Sequence, residues 1–158
     1  MYITRKMDYS LRLMLTLGCR PQSRLTSEEL AEITGVPRQF TLKLSQALTK
    51  AGLIKAQRGV GGGIQLARAP EEITMQDILG IADTPRALNE CLLSPAACTR
   101  SGYCAAHHTL LGIQALLDRE LQQVTLASLV RDQQVIDSTR RAHVGFVGEE
   151  KTSPLIKK

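Results

Sequence analysis

Met7, Leu11, Met14, Leu15 and Gly18 recur at intervals of three and four, so residues 7–19 are predicted to form a helix with one apolar face. Pro21, Gln22 and Ser23 end it. Thr26 or Ser27 can cap a second helix, and Glu29, three residues after Thr26, completes a capping box. That helix ends near Gly35. Pro37 suits the first turn of a third, where its missing N–H is not needed, and Gly52 stops it after about Ala51. At 100° per residue Phe40, Leu44, Ala47, Leu48 and Ala51 share the inward side. Arg38, Gln39, Leu42, Lys43, Gln46, Thr49 and Lys50 fill the opposite and flanking surface.

Beyond Gly52 the pattern changes. Two short strands, about 53–58 and 63–67, flank Gly59-Val60-Gly61-Gly62-Gly63, a loop too permissive for a helix and suited to a tight β-ribbon. A short helix is predicted at 74–82, then a cysteine-bearing segment at 87–104. A longer helix over 107–124 carries Leu110, Ile113, Leu117, Leu121 and Val124. Leu111, Ala115 and Leu116 widen its apolar surface, and Gln114 interrupts it. A last helix is expected at 126–136, with a disordered tail from about Ser138. The expected fold is mainly α with a small β-ribbon wing. Residues 1–83 form a winged helix-turn-helix, 84–106 a cysteine-rich loop, 107–136 a long dimerisation helix with a C-terminal helix, and 137–158 a tail.

Aromatic residues make up 3% of the 158 and Trp is absent, so any core must be built from Leu, Ile, Val, Met and Ala. So short a chain buries a modest core, and a second copy packed on the two-sided helix would help. No apolar run approaches the roughly 20 residues that span a bilayer, and Met1–Lys6 does not open a secretory leader. The expected location is the cytoplasm, without membrane contact. There, clustered cysteines favour metal or redox chemistry over structural disulfides.

Charge is unevenly placed. Ile33–Pro70 holds no Asp or Glu but six of the 20 basic residues: Arg38, Lys43, Lys50, Lys55, Arg58 and Arg68. A single-sign block of this kind is what a phosphate backbone attracts. Two helices joined by Thr34-Gly35-Val36-Pro37 and followed by a ribbon place the second helix in a DNA major groove. Gln39 can pair with adenine, and Arg38 or Lys43 with guanine or phosphate. Leu42 suits a thymine methyl or is a plain surface residue. Gln46 and Lys50 extend this face, while Arg58 and Gly61 mark the wing, where an arginine can enter the minor groove. The glycines do not form a nucleotide-binding loop, because a strand rather than a helix follows them.

Cys91, Cys98 and Cys104, then His107 two residues on, form the second constellation. Thiolates at this density suit zinc or an iron–sulfur cluster. The tight C-x2–4-C pair of structural zinc is absent, and the looser intervals suit a loop around a larger object, although zinc and metal-free thiols stay open. His107, with His108 beside it, is the local candidate for a fourth ligand. Cys19, on an apolar helix, reads as core.

Met7-Asp8-Tyr9-Ser10-Leu11-Arg12, Lys50-Ala51-Gly52-Leu53-Ile54, Arg58–Leu66, Ile73-Thr74, the three cysteines and Val124–Val130 together resemble the IscR/NsrR-type iron–sulfur regulators, from Met1 to about Val135. The resemblance implies a homodimer whose long helices cross and set two winged heads on a pseudo-palindromic DNA operator. It implies a cluster on Cys91, Cys98 and Cys104. The fourth ligand is His107 in the IscR-like arrangement. In the NsrR-like one it is an acidic residue at Asp8, reaching across from the partner. The run around Asp8 favours the second, and a [4Fe–4S] over a [2Fe–2S] cluster. IscR-like members carry Glu at the position of Leu42, so their operator preference does not carry over.

The expected function is a DNA-binding regulator, acting as a repressor, that senses nitric oxide, redox state or iron status through the cluster. Its rivals are a same-fold regulator using zinc or thiol oxidation, and an iron–sulfur carrier with an incidental basic face. An enzyme is not expected, since no His–Ser–Asp set or paired carboxylates are evident.

Overall fold

Thr4 sets where the chain first becomes helical: its side chain accepts the N–H of Met7 at 3.3 Å. The first helix therefore begins at Arg5, two residues before the apolar pattern does. In the computed structural model, residues 3–59, 61–81, 87–94, 96 and 98–147 are described, with 141–147 described as backbone only. The elements are α1 (Arg5–Gly18), α2 (Ser27–Thr34), α3 (Arg38–Lys50), β1 (Ile54–Gln57), β2 (Gly63–Leu66), α4 (Met75–Gly80), α5 (Ala105–Gln123) and α6 (Leu126–Val147).

The inward face of α1 comprises Met7, Ser10, Leu13, Met14, Leu17 and Gly18. Leu13 and Leu17 join the expected face at its centre, while Leu11 and Leu15 are half-buried and Leu11 packs against the core from its edge. Ser10 is tolerated there because its hydroxyl donates to the Lys6 carbonyl at 2.6 Å. On α2 the capping box forms, with Thr26 Oγ1 accepting from Glu29 N–H (3.2 Å) and Glu29 Oε2 from Thr26 N–H (2.8 Å). Gly35, at φ 67°, ends the helix in the left-handed region.

Pro37 lies one position outside α3 rather than within its first turn, and its carbonyl accepts from Phe40 and Thr41 N–H at 2.8 and 3.0 Å. The buried side of α3 is Thr41, Leu44, Ser45 and Leu48. This corrects the expected inward set: Phe40 is 50% exposed and Ala51 is exposed. Thr41 can replace Phe40 inside because its hydroxyl donates to the Val36 carbonyl at 3.3 Å. Phe40 instead meets Tyr9 of α1 edge to face, with ring centroids 5.9 Å apart.

The ribbon is antiparallel, in register from Ile54↔Leu66 to Gln57↔Gly63. Leu25 bridges the other edge of β2, exchanging both backbone hydrogen bonds with Ile64 (2.7 and 3.1 Å). One apolar core then joins α1, α2, α3, the ribbon, α4 and α6 through Leu13, Leu30, Leu48, Ile54, Ile78 and Leu126. A smaller cluster of Met7, Leu79 and Leu121 links α1 and α4 to α5. Each fully buried side chain of this size contributes about 1.5–3 kcal/mol.

The α5–α6 junction is bound to the entry of α4 by backbone. Met75 N–H donates to Val124 O and Leu126 N–H to Ile73 O, both at 2.8 Å. Unlike the expected helix ending at 136, α6 runs on to Val147. No proline or glycine interrupts it before Gly145, and the Ser138 and Thr139 hydroxyls fold back on the Val135 carbonyl. The expected tail is therefore helical over 137–147. Its remainder, 148–158, and the expected boundary near 83 lie outside the described residues.

At Gly18, α1 lies close against α6. A Cβ there would stand 2.7 Å from Val130 Cγ2 and 3.3 Å from Leu126 Cγ. Gly18→Ala is therefore expected to lose about 1–2 kcal/mol on urea unfolding, overpacking exceeding the gain in helix propensity. Val130→Ala in the same chain should recover part of the loss. A Gly18→Ala protein as stable as the parent would show that α6 can simply step back.

Candidate nucleic-acid interface and cysteine segment

Every residue expected to read DNA from the third helix is solvent-exposed on α3: Arg38, Gln39, Leu42, Lys43, Gln46 and Lys50. Leu42, 42% exposed, points away from the buried face as the periodicity requires. Arg58 follows β1, and with Gly61 it belongs to the exposed turn of the wing. Between α3 and the ribbon runs an open cleft of about 750 Å³, lined among others by Leu42, Gln46, Lys50, Gln57 and Arg58. The acid-free segment thus presents helix and wing on one side, which is the shape a duplex with its two grooves requires.

The turn of the ribbon is fixed by glycines and by a residue from outside it. Gly59 and Gly61 have φ 95° and 75°, and Gly62 N–H donates to Gly59 O at 2.9 Å. Arg24, in the α1–α2 connection, donates to Gln65 and Gln57 at 3.0 Å and to the Gly61 carbonyl at 3.1 Å. Sequence reasoning missed Arg24, because nothing local marks a loop arginine as a brace for strands more than 30 residues away.

Arg38 is not free. Its Nε donates to Glu28 Oε1 at 2.7 Å, and its Nη2 donates to the same oxygen. Ser27 Oγ donates to the other oxygen at 3.0 Å. These contacts, led by the backbone N–H of Glu28 itself, hold that carboxyl below the usual carboxylate range.

The cysteine segment leads into α5. Cys91, Cys98 and Cys104 are half-buried free thiols. Cys104 stands immediately before α5, and His107, in its first turn, brings Nδ1 to 3.5 Å from Cys91 Sγ. His108 is exposed. Gln114, the polar interruption of α5, accepts the backbone N–H of Leu88 at 3.0 Å and so ties the segment's start to the helix. Within one chain, no three His, Cys, Asp or Glu side chains among the described residues come close enough to hold a metal ion. Chemically the donors do fit a thiophilic metal centre: three thiols on one segment, with an imidazole on the first.

Asp8 lies apart from them. It is paired with Arg12 at 2.9 Å, both side chains about half-exposed. The Arg12 guanidinium sits 5.7 Å from the Tyr9 ring centroid, and Tyr9 in turn meets Phe40 of α3. Cys19, expected to be core, is instead half-buried at the C-terminus of α1, beside a groove that Asp137 of α6 also lines. Burial raises its thiol pKa above the ordinary value, with Arg20 opposing and Asp137 adding to the shift.

On α5, Leu111, Ile113 and Leu116 are 43, 47 and 58% exposed. No helix of the described residues is long and apolar enough to cross a membrane.

Residues 3–132 match the family model Rrf2, described as an iron-dependent transcriptional regulator. The HTH-type transcriptional regulator NsrR of Halalkalibacterium halodurans is 33% identical over 135 residues, covering 84% of this chain and 92% of that one. Among solved structures, T. potens IscR superposes with a TM-score of 0.68 at 22% identity, over 84% of this chain and 88% of that one. The oxidized form of Staphylococcus aureus CymR gives 0.65 at 26% identity, over 82% and 96%.

Proposed function

The chain belongs to the Rrf2 family of DNA-binding transcriptional regulators, a non-enzymatic family, and on that premise we propose that it is a homodimeric repressor whose operator affinity is set by an iron–sulfur cluster on Cys91, Cys98 and Cys104. The observation that carries the reading is the joint placement of two features on one scaffold. An acid-free face of α3 and the wing lies at one end, and three half-buried thiols stand at the entry to α5. The α5–α6 junction, bound to α4 by backbone, connects them.

When bound, a cluster supplies a centre that reacts with nitric oxide and oxygen and is lost when iron is short. The residues of the chain do the rest. Cys91, Cys98 and Cys104 hold it through thiolate. Asp8 of the partner subunit completes the set, and a carboxylate is a weaker, more displaceable ligand than a thiolate, which suits a sensor. Asp8 Oδ2 is paired with Arg12, which lies against Tyr9, and Tyr9 lies against Phe40 on the reading helix. A differential affinity of a few kcal/mol between two such arrangements is enough for a switch. The exposed leucines and isoleucine of α5 supply the apolar face on which a second copy packs.

A second reading has a specific observation behind it. His107 already touches Cys91, so the fourth ligand can come from the same chain.

The test is the visible spectrum, with iron and sulfide content, of protein purified without air. Brown protein with matched iron and sulfide is expected, and Cys91, Cys98 and Cys104 each changed to Ala should remove the colour. Asp8→Ala and His107→Ala then separate the two fourth-ligand readings by which one alters the spectrum. Colourless protein that cannot be reconstituted, or zinc without sulfide, would move the switch to zinc or thiol chemistry and leave the DNA-binding regulator standing. A cluster passed on to acceptor proteins, with no salt-dependent DNA binding, would identify a carrier instead.

A further inference from the structure

Arg38 occupies the first position of α3, where the positive end of the helix dipole repels a cation and no acidic residue of α3's own first turn is available. Glu28, ten positions earlier in the first turn of α2, answers that charge across the helix–helix turn. How it does so bears on base reading. A guanidinium carries five N–H groups in one plane. Glu28 takes the Nε edge: Nε–H and one Nη2–H both go to Oε1. The other Nη2–H and an Nη1–H are left as a parallel pair on the adjacent end edge of a side chain that is largely exposed. That end-on pair matches O6 and N7 of guanine in the major groove.

We propose that Glu28 is a specificity-determining positioning residue: it grips the side edge of Arg38 so that the end edge is presented to a single guanine. Glu28 is itself held, by Ser27 Oγ on its second oxygen. A free arginine at a helix start would swing to the nearest phosphate, which adds affinity without sequence information. Fixed by Glu28, it gives up that contact and reads a base. A carboxylate beside a polyanion otherwise only weakens binding, which explains its presence so near the basic face. The pair is exposed, so its contribution to folding is small. The inference rests on α3 reading DNA, and the experiment separates the two claims.

Operator duplexes are first selected from a randomised library by the full-length protein, purified without air. Kd is then measured with each base pair of a half-site replaced in turn. Arg38→Ala is expected to erase discrimination at one G·C pair, a loss of about 10- to 100-fold. Glu28→Gln should reduce discrimination at that same pair by several-fold, leave the other positions unchanged, and hold or raise affinity for unrelated duplex. The slope of log Kd against log salt should steepen by up to about one phosphate contact as Arg38 is released. In the Arg38→Ala background Glu28→Gln should do nothing to base preference. A thermal melt of each variant confirms folding. If Arg38→Ala changes no base preference, the reading role of α3's first turn is wrong. If Arg38→Ala acts and Glu28→Gln leaves discrimination intact, or weakens it equally at every position, Glu28 is only a tether between helices.

Discussion

Gly62→Ala is expected to reduce operator affinity roughly five- to 150-fold while leaving the helical content of the protein unchanged. A Cβ on Gly62 would stand 2.3 Å from the Gln57 carbonyl oxygen and 2.8 Å from that of Gly59. Both obstacles are backbone, so no rotamer change relieves them and the turn itself must open. Arg24 opposes that opening, since it holds Gln57, Gly61 and Gln65 together. The ribbon has to distort, and Arg58 moves with it. Losing the wing contact should remove about 1–3 kcal/mol of binding, roughly five- to 150-fold. Gly61→Ala is the internal comparison. Nothing lies within 4 Å of a Cβ there, so its cost is confined to the left-handed backbone at φ 75°, about 1–2 kcal/mol of local strain. Kd measured at two salt concentrations should rise from the parent through Gly61→Ala to Gly62→Ala. Equal binding by all three would mean that the wing does not engage the duplex.

The sequence marked those features whose cause is local. The Thr26–Glu29 box, the stop at Gly35 and the glycine turn between two short strands are each dictated by residues a few positions apart, and each forms. The reading residues of α3 were legible because exposure follows from helical period and charge from composition. What escaped was set by contacts at long range or by hydroxyls that satisfy themselves. Thr41 and Ser10 sit inside because they bond back to their own backbone, which an apolar count misses, and this rotated two predicted helix faces and put Phe40 outside. Glu28 and Arg38 meet only once the turn folds. Arg24 becomes a brace only once the ribbon lies beside it. The expected end of α6 at 136 falls short because Asp137, Ser138 and Thr139 break the apolar pattern, yet Gln133 Nε2 donates to Asp137 Oδ1 at 2.9 Å and the two hydroxyls bond back within the helix. The cysteines were plain in the sequence as a constellation, whereas the hold of Gln114 on Leu88 was not.

Leu126→Ala is expected to cost about 2–5 kcal/mol of folding stability, a large share of the 5–15 kcal/mol that holds a small domain together. Leu126 is the first residue of α6 and is wholly buried. It lies in the core shared by α1, α3 and α4, and its side chain borders the site where Gly18 lets α1 approach α6. Its backbone is equally committed, since its N–H donates to the Ile73 carbonyl beside the neighbouring Met75–Val124 bond. Truncation therefore leaves a cavity that cannot collapse by moving α6 without breaking those bonds, which places the expected loss towards the upper end of the range. The consequence goes beyond stability. The α5–α6 junction joins the element carrying the cysteines to the DNA-binding head, so slack there should weaken the influence of one on the other. Chemical denaturation of the metal-free protein gives the first quantity. The ratio of operator Kd values for cluster-loaded and cluster-free protein gives the second, and it should fall towards one in Leu126→Ala even under conditions where the variant is fully folded. An unchanged ratio in a destabilised protein would place the coupling elsewhere, in the Arg12–Tyr9–Phe40 contacts between α1 and α3. Phe40→Ala tests that route directly, because Phe40 is exposed and its removal should leave the core intact.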